Sequence, residues 1–281
     1  MRDYFCGWYI KCQNEFQTVA FIAAYHITNN VKSCSLQIIT DDGAWNVPYP
    51  YEQFHMDETG VTIGPNRFTK QGCHLDLREQ GITGQGNLTF GEFAPIAYDI
   101  MGPFKYVPFM ECRHSVFSMK HRVDGKIIIN GTEFAFDNGV CYIEGDRGCS
   151  FPKEYLWTQC CFEGGSVMLS VADIPFCGFH FTGIISAIHF HGKEYRFATY
   201  LGARAVKIRD GEAVIRQGSR TLTVRRLEDK GKPLAAPVGG SMQRTIRESA
   251  ACRSYYHLQE NGKTVFEFES EKAAFEYEYP Q

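Results

Sequence analysis

Hydrophobic and polar residues alternate along short segments through most of the chain, a pattern typical of half-buried β-strands. In residues 73–79, a cysteine and two leucines alternate with a histidine, an aspartate and an arginine. Asn-Gly and Asp-Gly pairs separate many such segments, and both positions of these pairs accept the positive φ angles of tight hairpin turns. They include Asp124-Gly125, Asn130-Gly131 and Asp210-Gly211. The pattern predicts an all-β, antiparallel fold, arranged as a barrel or a sandwich.

Two segments depart from this pattern. Residues 98–109 contain two prolines, which have no amide to donate to a central ladder. We expect a domain junction there, between an N-terminal β-barrel-like domain at 1–105 and a C-terminal β-barrel-like domain at 106–281. Residues 241–251 predict one short helix near the C-terminus, because Ser241 can cap it and two apolar residues follow with a spacing of four.

Composition adds an apolar cavity to this picture. Aromatic residues form 14% of the 281-residue chain, and they suit both strands and the walls of ligand cavities. The net charge is −3, and no basic stripe is dense enough to indicate nucleic-acid binding. The sequence therefore argues against a nucleic-acid partner.

The eleven cysteines lack the paired spacing of a zinc site. His189 and His191 lie two positions apart, but the glycine that follows indicates an ordinary hairpin, so we expect no metal. We also expect no signal peptide and no transmembrane segment, because no apolar run reaches about 18 residues. These features predict a cytoplasmic protein with reduced thiols. Peripheral contact with a membrane surface stays open, through the aromatic residues Tyr49, Tyr51 and Phe54.

Candidate chemistry is concentrated in residues 101–152. Glu111, Glu144 and Asp146 lie there near aromatic residues. Apolar surroundings disfavour the charged form of a carboxyl group, so its pKa rises and it can donate a proton near neutral pH. A solvated charge or a turn ligand is the alternative for each of them. His114 is a candidate acid, base or hydrogen-bond donor in the same segment.

Strand periodicity suggests which side chains line a site. Phe117 and Met119 share a face of the strand predicted over residues 112–121, and Tyr142 shares a face with Glu144 and Asp146. Further candidate cavity-lining residues are Trp157, Gln159 and Arg196. No phosphate-binding loop, nucleophile elbow or dinucleotide fingerprint is present, so the common hydrolase and nucleotide-dependent classes are not indicated.

Several blocks of the sequence resemble the tocopherol cyclase family. They are spread over most of the chain, in family order: GWYIKCQ from Gly7, MGPFKYVPFMECRHSVFSMKH from Met101, YIEGDRGCSFPKEYLWTQC from Tyr142, IPFCGFHFTG from Ile174 and YRFATY from Tyr195. The resemblance implies two lipocalin-like β-barrels in tandem with an apolar pocket. It also implies an activity that closes a chromanol ring on a prenylated hydroquinone, with no cofactor or metal.

In that reaction an acid protonates a trisubstituted alkene, and the phenol oxygen captures the tertiary cation. The resemblance implies that Asp146 or Glu111 is the proton donor, with His114 orienting or relaying. It also implies a hydrophobic small-molecule substrate, held by the lining residues above. Two departures matter for the substrate, because Arg147 stands where the family pattern has tryptophan and Cys161 where it has asparagine. Arg147 either removes an apolar pocket wall or adds a charge clamp.

Three functions therefore stay open. The first is a cofactor-independent cyclase or isomerase acting on a prenylated quinol or another isoprenoid. The second is a non-catalytic lipid or quinone carrier, and the third is an isoprenoid hydratase in which water replaces the phenol. A carrier needs the cavity but no acid, whereas a cyclase needs a buried carboxyl group beside the double bond. The surroundings of Glu111, Glu144 and Asp146 therefore discriminate between them.

Overall fold

The computed structural model describes residues 3–79, 81–108, 110–176 and 178–280. Antiparallel strands in two sheets make up nearly all of this part of the chain, and no α-helix occurs in it. The all-β, antiparallel prediction is confirmed. Phe109, at the end of the expected junction, and Cys177, in the block from Ile174, lie outside the described residues. Short 3₁₀ turns occur at Tyr51–Gln53, Gly102–Tyr106 and Thr199–Leu201.

The first sheet has eleven strands within the described ranges, in the order β4-β3-β2-β1-β11-β10-β9-β8-β7-β6-β5. Their bounds are β1 Tyr4–Gln13, β2 Thr18–Thr28, β3 Val31–Thr40, β4 Ala44–Tyr49, β5 Phe54–Asp57, β6 Gly60–Ile63, β7 Asn66–Thr69, β8 Gly72–Glu79, β9 Ile82–Phe90, β10 Cys112–Ile129 and β11 Thr132–Gly148. Strands adjacent in sequence pair antiparallel, except β4 and β5, which are the two edge strands, and β1 also pairs with β11.

The second sheet has ten strands among the residues described. The order along it is β15-β14-β13-β12-β21-β20-β18-β17-β16, and β19 pairs with β20. Their bounds are β12 Tyr155–Phe162, β13 Gly165–Phe176, β14 Phe179–Phe190, β15 Lys193–Ala198, β16 Arg204–Arg209, β17 Glu212–Gln217, β18 Arg220–Arg226, β19 Lys232–Val238, β20 Ser241–Glu260 and β21 Lys263–Tyr277.

The sheets are not closed into barrels, which corrects the expectation of two closed lipocalin-like β-barrels. In the first sheet the described pairings end at β4 and β5, and Pro48 and Pro50 remove two amides just where a closing ladder would run. In the second sheet the described ladder ends at β15 and β16, and a side chain at the end of β17 bonds across to β15. The Gln217 amide accepts from the Ala198 N–H at 3.0 Å and donates to the Arg196 carbonyl at 3.0 Å.

The predicted helix at residues 241–251 is wrong, because this segment is the first half of β20. Gly239 and Gly240 have φ angles of 54° and 72°, so they form a tight turn that hairpins β19 onto β20. Ser241 therefore follows a hairpin turn and caps nothing. Pairing with a neighbouring strand overrides the local helix signal.

The turn expected at Asp124-Gly125 is also wrong. β10 runs through both residues, and the register shift between Val123 and Gly125 marks an irregularity with a φ angle of 112° at Gly125. The chain reverses at Asn130-Gly131, where the φ angles are 49° and 82°. This turn was predicted, and it sets the pairing of the two long strands that carry the candidate site.

By packing, the chain forms two compact units. The first comprises Met1–Pro95, Met110–Phe151 and Leu234–Thr245, and the second comprises Ile96–Phe109, Pro152–Pro233 and Ile246–Gln281. The boundaries of these units differ from the expected domain boundary between residues 105 and 106, because β10 and β11 pair within the first sheet. The division into domains 1–105 and 106–281 stays a prediction.

Each unit has its own apolar core. The core of the first unit includes Ile10, Phe21, Phe68 and Ile143, and that of the second includes Phe197 and Phe275. Tyr51 and Phe54 pack on the ring of Tyr25 and Tyr49 is buried, so these aromatics give no support to a membrane contact. In the described part of the chain, none of the helical segments has the length and apolar character needed to cross a membrane.

Candidate active site

The candidate site lies on the paired strands β10 and β11 of the first unit. Their antiparallel register places His114 opposite Asp146 and Val116 opposite Glu144. Residues two apart on a strand share a face, so the side chains of His114, Glu144 and Asp146 project from the same side of the sheet. β1 borders β11 on its other edge, where Gly7 faces Asp146 without a side chain.

His114 bridges the two carboxylates through opposite edges of its ring. Nδ1 of His114 lies 2.8 Å from Oδ1 of Asp146, as a hydrogen bond. Nε2 lies 3.0 Å from Oε2 of Glu144, as an ion-pair contact without good hydrogen-bond alignment. The side chains of His114 and Glu144 are 8% and 5% exposed, whereas that of Asp146 is 24% exposed. Asp146 is therefore the member of the cluster that solvent reaches.

Two neighbouring side chains complete the cluster. The Tyr142 hydroxyl donates to Oε2 of Glu144 at 2.5 Å, and the Cys112 thiol lies 3.6 Å from Oδ1 of Asp146. Cys112 and Tyr142 are each two residues from a cluster member along their own strand, so they lie on the same face. This face is opposite to the one through which Ile143 enters the apolar core. Tyr142 and Glu144 are nevertheless buried, so their polar atoms need these partners.

The electrostatics of the cluster favour retained protons. Burial alone lowers the pKa of His114, but the adjacent Glu144 and Asp146 carboxylates outweigh it and hold that pKa well above its ordinary value. Burial raises the pKa of Glu144, although the neighbouring His114 opposes the rise. Burial also raises the pKa of the Cys112 thiol, so it stays protonated. At neutral pH the ring of His114 is an imidazolium between two acids.

One histidine and two carboxylates are also the donors of a metal site, and the ligand atoms of this cluster all lie within 4.8 Å of one another. The two carboxylates, however, face different nitrogens of the imidazole ring. A metal ion binds one ring nitrogen along its lone pair, so a single ion would face only one of the acids. The arrangement fits a shared proton better than a metal.

The structure brings some of the predicted site residues together and leaves others apart. Glu111 is half-buried, and its contribution is its backbone carbonyl, which accepts from the Cys149 N–H at 2.8 Å and the Ser150 N–H at 3.3 Å. Phe117 lies on the opposite face of the sheet, with its ring 5.2 Å from that of Trp8. Glu111 and Phe117 are thus outside the hydrogen-bonded cluster.

Met119 and Arg147 also lie apart from it. Met119 is buried, and its N–H donates to the Ala94 carbonyl at 2.8 Å. Arg147 is exposed and points to the side of the sheet away from Asp146, because β11 alternates without interruption beside β1. Arg147 therefore does not form the charge clamp on His114 and its carboxylates.

Three predicted lining residues belong to the second unit. Trp157 and Gln159 are buried on β12. The Arg196 guanidinium is engaged on all sides: Nε contacts Glu194 at 2.6 Å, the terminal nitrogens donate to the carbonyls of Tyr98 and Asp99, and the group stacks on the Tyr98 ring. Arg196 anchors the segment before the Gly102–Tyr106 turn.

Cys112 was missed by the sequence reasoning. The signal was available, because a residue two positions before His114 on a strand shares its face. The role of Glu144 as a partner of His114 was missed for a different reason, since it depends on the pairing register of two strands.

Comparisons with known proteins give a partial match in sequence and several matches in fold. No family model matches the chain. A protein of Oryza sativa subsp. japonica named as a chloroplastic tocopherol cyclase is 30% identical over 106 residues, which is 34% of this chain and 22% of the relative. The chain thus matches about a fifth of the length of that curated relative.

Three solved structures share the fold over nearly the whole chain. A protein of Nitrosomonas europaea assigned as AttH has a TM-score of 0.59 at 9% identity. The match covers 100% of this chain and 93% of the AttH chain. Kievitone hydratase from Nectria haematococca has a TM-score of 0.58 at 11% identity, with 98% and 89% covered. CghA in complex with Sch210972 has a TM-score of 0.57 at 10% identity, with 98% and 88% covered.

Proposed function

We propose that this protein is a cofactor-independent acid catalyst that protonates an isoprenoid alkene and closes an oxygen ring on a prenylated hydroquinone or a related compound. The observation that carries the proposal is the buried His114, held between Glu144 and Asp146. A carrier needs no such cluster, and burying His114 and Glu144 beside Asp146 costs free energy that a binding function has no reason to retain.

The residues have separate roles in this mechanism. Asp146, the most exposed of the three, takes a proton from Nδ1 of His114 and passes it to one alkene carbon, which leaves a tertiary cation on the other. The phenol oxygen adds to that cation, forms the C–O bond and returns its proton to the Asp146 carboxylate, so the proton count is unchanged. His114 positions Asp146 and exchanges a proton with it through Nδ1. Glu144, held by Tyr142, keeps the imidazole ring charged and oriented.

The comparisons support this choice between reaction classes. The resemblance in sequence is to a protein named as a tocopherol cyclase, and a structural neighbour is named as a hydratase. Ring closure and hydration begin with the same protonation and differ only in whether phenol or water captures the cation. Hydration of an isoprenoid alkene is therefore the second candidate.

The test is turnover in heavy water. The protein is incubated in D₂O with a geranylgeranyl hydroquinone, and products are identified by mass spectrometry. Cyclisation gives a product with one added non-exchangeable deuterium and no added oxygen, whereas hydration adds water. We expect Asp146→Asn to lose at least about 100-fold in rate, because a general acid contributes a factor of that order. The exposed Asp137→Asn, on the same strand, should be unaffected.

Two other results would change the assignment. Binding of the hydroquinone without conversion would favour the carrier. Full activity of Asp146→Asn with loss in Glu111→Gln would transfer the role of proton donor to Glu111.

A further inference from the structure

The second unit contains a cavity that the proposed chemistry does not use. The ladder between β12 and β21 joins Leu156–Gln159 to Ala274–Tyr277, yet β12 continues to Phe162 and β21 begins at Lys263. The two strands therefore diverge beyond Gln159. A cavity of about 580 Å³ lies where they separate. This volume is within the range of small-molecule sites.

Phenylalanine rings form one wall of this cavity. The ring of Phe162 is central: its centroid lies 4.2 Å from that of Phe268, 5.0 Å from that of Phe266 and 5.8 Å from that of Phe190. Phe162, Phe190 and Phe268 are only half-buried, although they pack on the core of the unit. Aromatic faces thus border a space open to solvent, and a ligand there would bury them further.

The charge of the lining selects the ligand. Glu163, Glu267 and Glu269 line the cavity, and none of its lining residues is lysine or arginine. Glu269 is neutralised by Arg253 at 2.6 Å. Glu267 accepts from the Tyr255 hydroxyl at 2.7 Å on the face of β21 opposite to Phe266 and Phe268, and the described residues provide no ion pair for Glu163. Glu163 is therefore the lining carboxylate without an ion pair among the described residues, and His191 is a further titratable group of the lining.

We propose that this cavity is a second ligand site, which takes small organic cations with an apolar body, such as quaternary ammonium compounds. Aromatic faces attract such cations through their electron-rich centres, and the carboxylates add attraction over a longer range. An anion with the same apolar body meets the same rings but is repelled by Glu163. This site is independent of the proposed alkene chemistry.

The test compares two probes of matched shape, benzyltrimethylammonium and phenylmethanesulfonate, by calorimetric titration of the whole protein. We expect the cation to bind at least about tenfold more tightly than the anion, and the preference to shrink at high salt. Glu163→Gln should weaken cation binding at least about threefold, as expected for the loss of one nearby charge. Glu15→Gln, an exposed glutamate of the first unit, should leave it unchanged.

A ring-removing variant separates the two parts of the site. Phe268→Leu keeps apolar volume but removes an aromatic face, so it should weaken the cation more than a neutral probe, benzyl alcohol. Equal binding of cation and anion, or no binding of either probe, overturns the proposal. An equal effect of Glu163→Gln and Glu15→Gln on cation binding also overturns it. Glu163 is exposed, so we expect its variant to fold.

Discussion

Nδ1 of His114 lies 2.8 Å from Oδ1 of Asp146, and the two side chains differ in exposure, at 8% and 24%. The pair therefore connects a buried, charged imidazole ring with a carboxyl group that a substrate can approach. Glu144 lies on the far side of the same ring, where its own burial raises its pKa. In the proposed function, these three groups hold a proton and present it to the substrate at Asp146, the most exposed of them.

Removal of Glu144 tests what holds this proton. The two carboxylates outweigh burial and raise the pKa of His114, so the ring keeps its proton at neutral pH and loses it only as the pH rises through that raised value. Activity should therefore fall on the alkaline side. Glu144→Gln removes one negative charge, so the pKa of His114 falls and the alkaline limb of the kcat profile moves to lower pH.

A matched control keeps this result interpretable. Glu133→Gln makes the same substitution at an exposed position of β11, and its pH profile should coincide with that of the unmodified protein. An unshifted limb in Glu144→Gln would mean that Glu144 does not set the proton affinity of His114.

Chelation distinguishes a proton bridge from a metal site. Because Glu144 and Asp146 face different ring nitrogens of His114, we expect activity and melting temperature to survive dialysis against EDTA. Added Zn²⁺ should compete with the proton and inhibit, since it binds neutral imidazole and carboxylate together. Loss of activity on dialysis with recovery on addition of a metal would contradict the proton bridge.

The fold class was predictable from the sequence because strand periodicity and Asn-Gly turns are local signals. The site was predictable only in part, because it depends on register. Counting back from the Asn130-Gly131 turn, where Ile129 faces Thr132, an uninterrupted ladder would place His114 opposite Arg147. Irregularities in β10 after Val116, Ser118 and Val123 shift the pairing by one, so His114 faces Asp146. A one-residue slip changes which residues of two strands face each other, so the contact between His114 and Asp146 could not be derived from the turn position alone.

The wrong helix at residues 241–251 has a similar cause. The spacing of apolar residues there fits a helix, but β19 pairs alongside and Gly239-Gly240 closes the hairpin. Such a partner, distant from the local pattern, decides the conformation of a segment with weak intrinsic preference.

Gly148 is a position where any side chain would disturb the end of the site. A Cβ atom there would overlap the backbone oxygen of Glu111, which also accepts the Cys149 and Ser150 amides. Gly148→Ala must displace this backbone next to Cys112, so we expect a loss of more than about 2 kcal/mol in unfolding free energy, together with activity. Denaturant unfolding and turnover measure both.

The control for this variant lies in the same hairpin. Gly131 has a φ angle of 82°, and a methyl group on its Cα would meet no atom of the described residues within 4 Å. Gly131→Ala should therefore cost only about 1 kcal/mol, for the left-handed backbone, and leave activity intact. Equal losses in both variants would mean that the contact with Glu111 relaxes freely.

Acid sensitivity should come partly from His121. Its ring packs between Phe90 and Phe93, Nδ1 lies 2.8 Å from the Ser118 hydroxyl, and Nε2 finds no hydrogen-bond partner among the described residues. Burial lowers the pKa of His121 to about 4. The unfolded chain binds this proton near pH 6.5 and the folded chain does not, so stability falls as the pH drops from 6.5 to 4, by about 1.4 kcal/mol per pH unit.

Replacement of this ring isolates its share of the acid sensitivity. His121→Phe fits the aromatic site and cannot titrate, so the dependence of unfolding free energy on pH should flatten by that slope between pH 6.5 and 4. Some slope will persist, because burial also lowers the pKa of His26 to about 4. His74→Phe, at an exposed position, should leave the slope unchanged. An identical slope in His121→Phe and the unmodified protein would show that His121 already binds its proton in the folded state, since only a difference in proton binding between the two states produces the slope.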